Sequence, residues 1–476
     1  MPITRRGFVQ RAGLAAAASL VGRASGAQAT DAPETGLAKT AGVPCDESHT
    51  FRNWSRTIEF SPERFCRPRT EEDVVSIVND AIARQKHVRT QGAGHSFAQL
   101  HATNDTLVTL KDIRGGVWVG ANNHVTVPGG IKLRDLIDEL RKKKLGLRNL
   151  GSITEQSVAG AFSTGTHGSG RAIGAISTQV VGVRLVDGKG TVRTITDAPS
   201  DAEQLAAARV NVGALGIITQ VTLDCVPDYK LEYTAYVTTL AEIVKNIDQL
   251  AQENDRVVVW WFLMSKEKKK RDTCVLITKN ALNHPVSAVL QNAIDATGPL
   301  SQILPKDPTV MLALLGDAPK TGFKKIRHDI DDYDQVLTVP LLPYYHRECE
   351  YAIPEEKTVA ALKMMREVVE EGDITLSLPV ELRYVASDEI LLSPCYKRTV
   401  AYIGASTLVN STEVFERFEP LMKTLGGVPH WGKCYTLTQP EVEAMYPATY
   451  KRFLKVRDDF DPQRVFANTL LNDLLP

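Results

Sequence analysis

The chain has 476 residues, 43% hydrophobic and 24% charged, with 56 Lys+Arg balanced by 56 Asp+Glu. That length suits two or three domains, and the balanced charge leaves no footprint for nucleic acid or a membrane surface. Ordinary apolar content without repeats excludes a disordered or fibrous chain. A soluble protein of enzyme size remains.

Residues 1–29 read as a targeting segment: Arg5, Arg6 and Phe8 in a charged start, a short apolar stretch at 12–22, and Ala27-Gln28-Ala29 for cleavage. The paired arginines are similar to a bacterial twin-arginine signal, which implies a folded protein exported to the periplasm or beyond by that machinery. Without 1–29 the balance is 52 basic against 56 acidic residues. No later stretch approaches the ~20 apolar residues of a membrane span, so no anchor is expected in the mature chain.

Thr70 with Asp73 fits a capping box, and Val74, Ile77, Val78, Ala81 and Ile82 share one face, predicting a helix over 70–86. Strands are expected at 88–91, 106–110, 117–119 and 124–127, and a helix at 132–144 striped by Leu133, Leu136, Ile137 and Leu140. Residues 180–195 read as a hairpin turning at Asp187-Gly188. After Pro227 the texture changes. An apolar strand at 257–262 and a basic turn at 268–271 lead into 274–277 as a second hairpin. Residues 293–330 read as loop-rich, with amphipathic helices near 355–371 and 412–425. The seven cysteines contain no Cys-x-x-Cys pair, so neither zinc site nor redox dithiol is expected. Folding before export argues against disulfides, so most read as buried free thiols.

Three glycine-rich stretches at 92–96, 151–170 and 213–216 lie within 125 residues. Glycine lets backbone approach a ligand, and consecutive N–H groups with Ser/Thr hydroxyls hold a pyrophosphate without Lys or Arg. Neither the Rossmann fingerprint nor a Walker lysine loop is present. One such stretch would pass for a flexible loop. Three bordering predicted elements read as a dinucleotide cradle.

The residues that carry a family resemblance are Gly92-Ala93-Gly94-His95-Ser96, then Gly151-Ser152 through Ser157-Val158-Ala159-Gly160 to Thr164-Gly165-Thr166-His167-Gly168, then Gly213-Ala214-Leu215-Gly216-Ile217-Ile218-Thr219. Together they resemble the FAD domain of the vanillyl-alcohol-oxidase superfamily. Val380-Glu381-Leu382-Arg383, Leu391-Leu392-Ser393-Pro394-Cys395 and His430-Trp431-Gly432-Lys433 are similar to the aldonolactone oxidases and their alditol-oxidase relatives. The implied fold is α+β: a two-subdomain, PCMH-type FAD-binding domain at 50–228, an α+β substrate or cap domain at 229–440, and a C-terminal segment at 441–476 returning to the first domain.

The same resemblance implies roles. His95 would carry FAD covalently. Gly92, Ala93, Gly94, Ser96, Ser152, Ser157, Gly160, Thr164, Gly165, Thr166 and His167 would line the cofactor, with Ile218 contacting it by backbone. Gly129, matching the position beside the flavin edge, would leave room for dioxygen. Glu381 and Arg383 stand two apart, so on a strand they share a face. With Lys433 and Ser152 they would bind the substrate hydroxyl and stabilise a developing alkoxide. No metal is implied. The expected activity is oxidation of a sugar lactone, or of a polyol as the alternative, with O2 as acceptor. A cytochrome-linked dehydrogenase on the same fold and an exported flavin- or sugar-binding protein without turnover are the competing readings.

Overall fold

The computed structural model describes residues 37–40, 43–263, 272–297, 318–340, 344–371, 376, 378–408 and 413–476. The expected targeting segment at 1–29 and basic turn at 268–271 lie outside them. Among the described residues no helix is long and apolar enough to cross a membrane.

The N-terminal half is built on two five-stranded sheets. The first orders Leu37–Thr40, Val43–Asp46, Arg64–Cys66, Thr106–Thr109 and Val88–Gln91, with the last three strands parallel. Helix Glu71–Ala83 begins at the Thr70–Asp73 capping box and buries Val74, Ile77, Val78 and Ala81. Ile82, at the margin of the stripe, is only half-buried. The second sheet is antiparallel and contains Val180–Val186, Val192–Thr196, Ile217–Asp224, His124–Pro128 and Trp118–Val119. The Asp187 turn joins its first two strands, as the alternation predicts. Helix Leu133–Lys142 sinks all four stripe leucines and isoleucines.

The cysteine expectation needs one correction. Cys45 and Cys66 form a disulfide because antiparallel pairing sets them directly opposite one another. Sequence spacing carries no information about that register. Cys225, Cys274, Cys349, Cys395 and Cys434 are buried free thiols, as expected.

The C-terminal half centres on a nine-stranded sheet. Its central strands, Val257–Trp261, Val380–Val385, Val400–Leu408 and His346–Pro354, lie side by side and antiparallel. Alternate residues along a strand point to opposite faces. Val257, Val259, Trp261, Val380, Leu382, Ile403 and Ile353 therefore join one core, shared with helices Leu240–Glu253, Thr358–Glu371 and Glu413–Thr424. Trp260, Glu381, Arg383, Tyr402 and Glu350 take the other face, toward the N-terminal half.

Several strands were not expected from the sequence, among them Ile217–Asp224, Lys230–Thr239 and Val400–Leu408, and two show why. Lys324–Asp332, inside the stretch read as loop, is nearly all charged and half-exposed, with only Ile326 buried. His346–Pro354 hides its alternation because its inward positions are His, Glu and Glu. The C-terminal helices Tyr450–Phe460 and Thr469–Leu474 pack Phe453, Phe460, Leu471 and Leu474 into the core of the first half. Val88 N–H donates to Val465 O at 2.8 Å, tying this segment to the first sheet.

Candidate active site

Two connected spaces meet along one seam. The larger is a 1570 Å³ cleft in the N-terminal half, bordered by all five residues of the 92–96 stretch and by Gly129, Ser157, Gly160, Thr164 and Ile218. Ordinary small-molecule sites hold roughly 300–1,000 Å³, so the cleft suits an extended dinucleotide. Its lining combines the glycine loops with Ser and Thr hydroxyls, the aromatic rings of Phe51 and Phe65, and charged side chains that include Arg67, Arg89, Lys111, Lys132 and Arg134. These residues fit FAD.

Gly129 reads differently in three dimensions. A Cβ there would fall on the Ile218 carbonyl oxygen and lie 3.4 Å from the Ala159 Cβ. Gly129 N–H donates to Thr219 O at 2.9 Å, and Ala159 N–H donates to Gly129 O at 3.0 Å. The glycine is required by close backbone packing. That packing is a reason for the glycine separate from the room for oxygen that the sequence suggested.

The smaller space is a 190 Å³ cavity bordered by His95, Ser96, Ser152, Thr164, Thr166 and His167 from the first half. Trp260, Glu348, Glu350, Glu381, Arg383, His430 and Lys433 come from the second. His95, Ser96, Gln156 and Thr164 border both spaces. Phe97 N–H donates to Gly432 O at 2.8 Å, which ties the His95 loop to the Lys433 loop. Trp54 stacks near His95, centroids 5.5 Å apart.

Sheet register assembles the charged floor. Trp260, Glu381, Gly404 and Glu350 lie in one cross-strand row. A Cβ on Gly404 would reach within 3.1 Å of Glu348 Oε1 and 3.6 Å of Glu350 Cγ, so the bare glycine leaves room there. Arg383 Nη2 lies 2.7 Å from Glu350 Oε1 and 3.2 Å from Glu381 Oε2. Its Nη1 donates to Ser152 Oγ at 3.1 Å, and Trp260 Nε1–H holds Glu381 Oε1 at 3.1 Å. Lys433 Nζ pairs with Glu348, and its loop is registered by His430 N–H to Glu350 O (2.9 Å) and Cys434 N–H to Glu348 O (2.8 Å). Trp431 Nε1–H donates to Leu392 O at 2.8 Å, so the 391–395 and 430–433 motifs meet.

Electrostatics hold the charges. Burial works against the Arg383 guanidinium, but Glu381, Glu350 and Glu348 outweigh it and keep it protonated. Lys433 is raised likewise, Glu348 and Glu350 overcoming burial. Burial would push the Glu350 carboxyl up, yet His167 and Arg383 hold it well below the usual carboxylate range. Desolvation lowers His430 to about 3 and His95 to about 4, leaving both neutral near pH 7. Two fixed cations facing a small enclosed space stabilise an alkoxide far better than they would in water.

Ser152, Glu381, Arg383 and Lys433 thus converge, though they are far apart in the chain. Thr166 borders the cavity; Gly165 borders neither space. His167 is a second correction: it does not border the cleft but lies buried against the cap sheet, its ring 3.6 Å from that of Tyr402. Glu348 and Glu350 were missed altogether. The signal was His346, Glu348 and Glu350 at strand spacing ahead of an apolar run. His167, Glu350 and His430 bring donor atoms within 4.8 Å of one another, the composition of a cation site. Arg383 already supplies the positive charge such an ion would bring.

The FAD binding domain family matches residues 62–196, and the D-arabinono-1,4-lactone oxidase family matches residues 221–474. The L-gulonolactone oxidase of Bos taurus is 31% identical over 435 residues, covering 88% of this chain and 97% of the relative. The L-gulono-1,4-lactone dehydrogenase of Mycobacterium tuberculosis (strain H37Rv) is 29% identical over 437 residues, covering 88% and 98%. Cholesterol oxidase from B. sterolicum shares the fold, with a TM-score of 0.74 at 16% identity over 94% of this chain and 100% of that one.

Proposed function

The chain belongs to the D-arabinono-1,4-lactone oxidase family, and from that premise we propose that it oxidises a secondary hydroxyl of an aldono-1,4-lactone such as L-gulono- or D-arabinono-1,4-lactone. The carrying observation is the convergence of Ser152, Glu381, Arg383 and Lys433 on one 190 Å³ cavity that meets the FAD cleft at His95. FAD, held by the cleft residues, would supply the hydride acceptor, with dioxygen as the final oxidant and hydrogen peroxide as its product.

The protein's own residues do the rest. Arg383 and Lys433 orient the reacting hydroxyl and stabilise the charge that builds on its oxygen. Glu381, held by Trp260, fixes Arg383 and accepts a hydrogen bond from a neighbouring substrate hydroxyl. Ser152 accepts from Arg383, so its hydroxyl hydrogen can donate into the cavity. Trp54, Phe97, Ile153 and Leu378 form apolar walls that exclude water. His95, neutral and at the junction, is the nucleophile for a covalent flavin link. The N-terminal segment directs the folded protein to the periplasm or beyond.

The test is a substrate screen on flavin-loaded protein, with peroxide release and an artificial electron acceptor read side by side. Turnover of the two lactones with peroxide is the expected result. Activity only with the artificial acceptor would reject oxygen use, and turnover of xylitol or sorbitol in preference to lactones would move the substrate to polyols. Acid precipitation should leave the flavin in the pellet, and His95→Ala should release it.

A further inference from the structure

His167 has no part in the substrate contacts above, yet it sits beneath them with an unusual pair of neighbours. Its Nδ1 lies 3.0 Å from the Gly168 carbonyl oxygen, which can only accept, so Nδ1 carries a proton. Its Nε2 lies 3.3 Å from Glu350 Oε1, with both side chains about 1% exposed. A bare lone pair there would face an anion in a dry interior, whereas a second proton turns repulsion into attraction. Glu350 also holds Arg383 Nη2 at 2.7 Å, so its carboxylate is shared between ring and guanidinium.

The surrounding charges demand the same proton. From strand His346–Pro354 come Glu348 and Glu350, from Val380–Val385 come Glu381 and Arg383, and from the loop after Val428–Pro429 comes Lys433. Tyr402, on Val400–Leu408, stacks on the ring at 17°, and His430 lies tilted beside it, 5.6 Å away. Three carboxylates face two cations, and His430 is neutral because burial lowers it to about 3. An imidazolium at His167 adds a third cation beside the cavity carboxylates, while Arg256 and Lys279 approach Glu381 from the far side of the floor.

We propose that His167 is a positioning residue: protonated on both ring nitrogens, it clamps Glu350 and through it fixes the Arg383 guanidinium against Ser152. The catalytic consequence rests on the lactone-oxidising reading above, but the protonation does not. Flavin-loaded protein labelled with 15N-histidine, with the His167 signals assigned by their loss in His167→Gln, should show two protonated ring nitrogens at neutral pH. One bare nitrogen would overturn the proposal, whatever the substrate. Glutamine keeps an N–H donor without the charge. His167→Gln should lower kcat about 10- to 100-fold by misplacing Arg383, while KM stays within about threefold and flavin content is unchanged. The His167→Gln/Glu350→Gln double variant should lose no more than the worse single, since both act through one guanidinium. Unchanged kcat in His167→Gln, or losses that multiply, would overturn it.

Discussion

The cleft and the cavity share a seam of His95, Ser96, Gln156 and Thr164 and are otherwise built on different plans. The 1570 Å³ cleft takes its glycines and many of its hydroxyls from loops at 92–96, 129–131 and 156–164, with charged and aromatic side chains spread around its rim. The 190 Å³ cavity is floored by side chains from four neighbouring strands, with one buried ion pair, Arg383–Glu350, and one half-buried pair, Lys433–Glu348, aimed at it. A long cofactor is gripped by shape and many weak donors. A single reacting hydroxyl is governed by a few charges held rigidly in a small dry space, where each is worth more. The buried Arg383–Glu350 pair is also a poor stabiliser relative to an apolar floor, so its retention fits chemistry better than folding.

Lys433→Met probes that contrast most severely. The change keeps stem volume and deletes one of two cations, so kcat should fall about 100- to 1,000-fold, the cost of losing one preorganised donor. Flavin content, read from the visible spectrum, should not change, because Lys433 does not border the cleft. Equal turnover would remove Lys433 from the chemistry. Lost flavin would mean that the two spaces are not separable.

Gly129→Ala is the matching probe of the cleft. The added methyl meets the Ile218 carbonyl, and overpacking of this kind costs about 1–3 kcal/mol. A lower melting temperature and weaker flavin retention are expected, with peroxide-linked and artificial-acceptor rates falling together. A selective loss of the oxygen reaction, with stability intact, would support the gating role that the sequence suggested.

What the sequence disclosed follows the same division. The cleft was legible because its residues are contiguous: Gly92-Ala93-Gly94-His95-Ser96 and the 151–168 stretch carry their chemistry in local order. So were helix Glu71–Ala83 and strand Val88–Gln91, where propensity, capping and periodicity agree. The cavity was half legible. Glu381, Arg383 and Lys433 stood in short motifs, but Glu348 and Glu350 entered through strand pairing. Their own strand looked unpatterned because its inward face is charged. The Cys45–Cys66 bond was invisible for the same reason, since register is a tertiary fact. His167 shows the limit of a motif: it stands in the cofactor stretch yet serves the other space.

Gly404→Ala asks how tightly the floor is set. Its methyl would press on Glu348 Oε1 at 3.1 Å, so that side chain must move by a few tenths of an ångström. Displacements approaching 1 Å cost about 100-fold, and this smaller one should cost about tenfold in kcat, with flavin content and melting temperature near wild type. A neutral result would show that the Lys433–Glu348 pair tolerates play, bringing the cavity closer to the cleft in character.

The smallest effect separates the two regions by pH. His101 borders the cleft and is lowered to about 4 by burial; His430 borders the cavity and is lowered to about 3 by burial, with Lys433 and Arg383 adding to it. Each folded imidazole resists a proton that the unfolded chain accepts near 6.5. Their stabilisation is therefore complete above about pH 6.5 and is lost as pH falls, by about 1.4 kcal/mol per pH unit for each proton at most. The His101 loss should end near pH 4, and that of His430 should continue toward pH 3. His101→Asn and His430→Asn should each flatten the fall in melting temperature between pH 7 and 5. Adding Lys433→Met should narrow only the His430 window, since that cation faces the cavity histidine. Equal narrowing at His101 would show that the cavity's field reaches the cleft wall, and the separation of the two spaces would be one of shape alone.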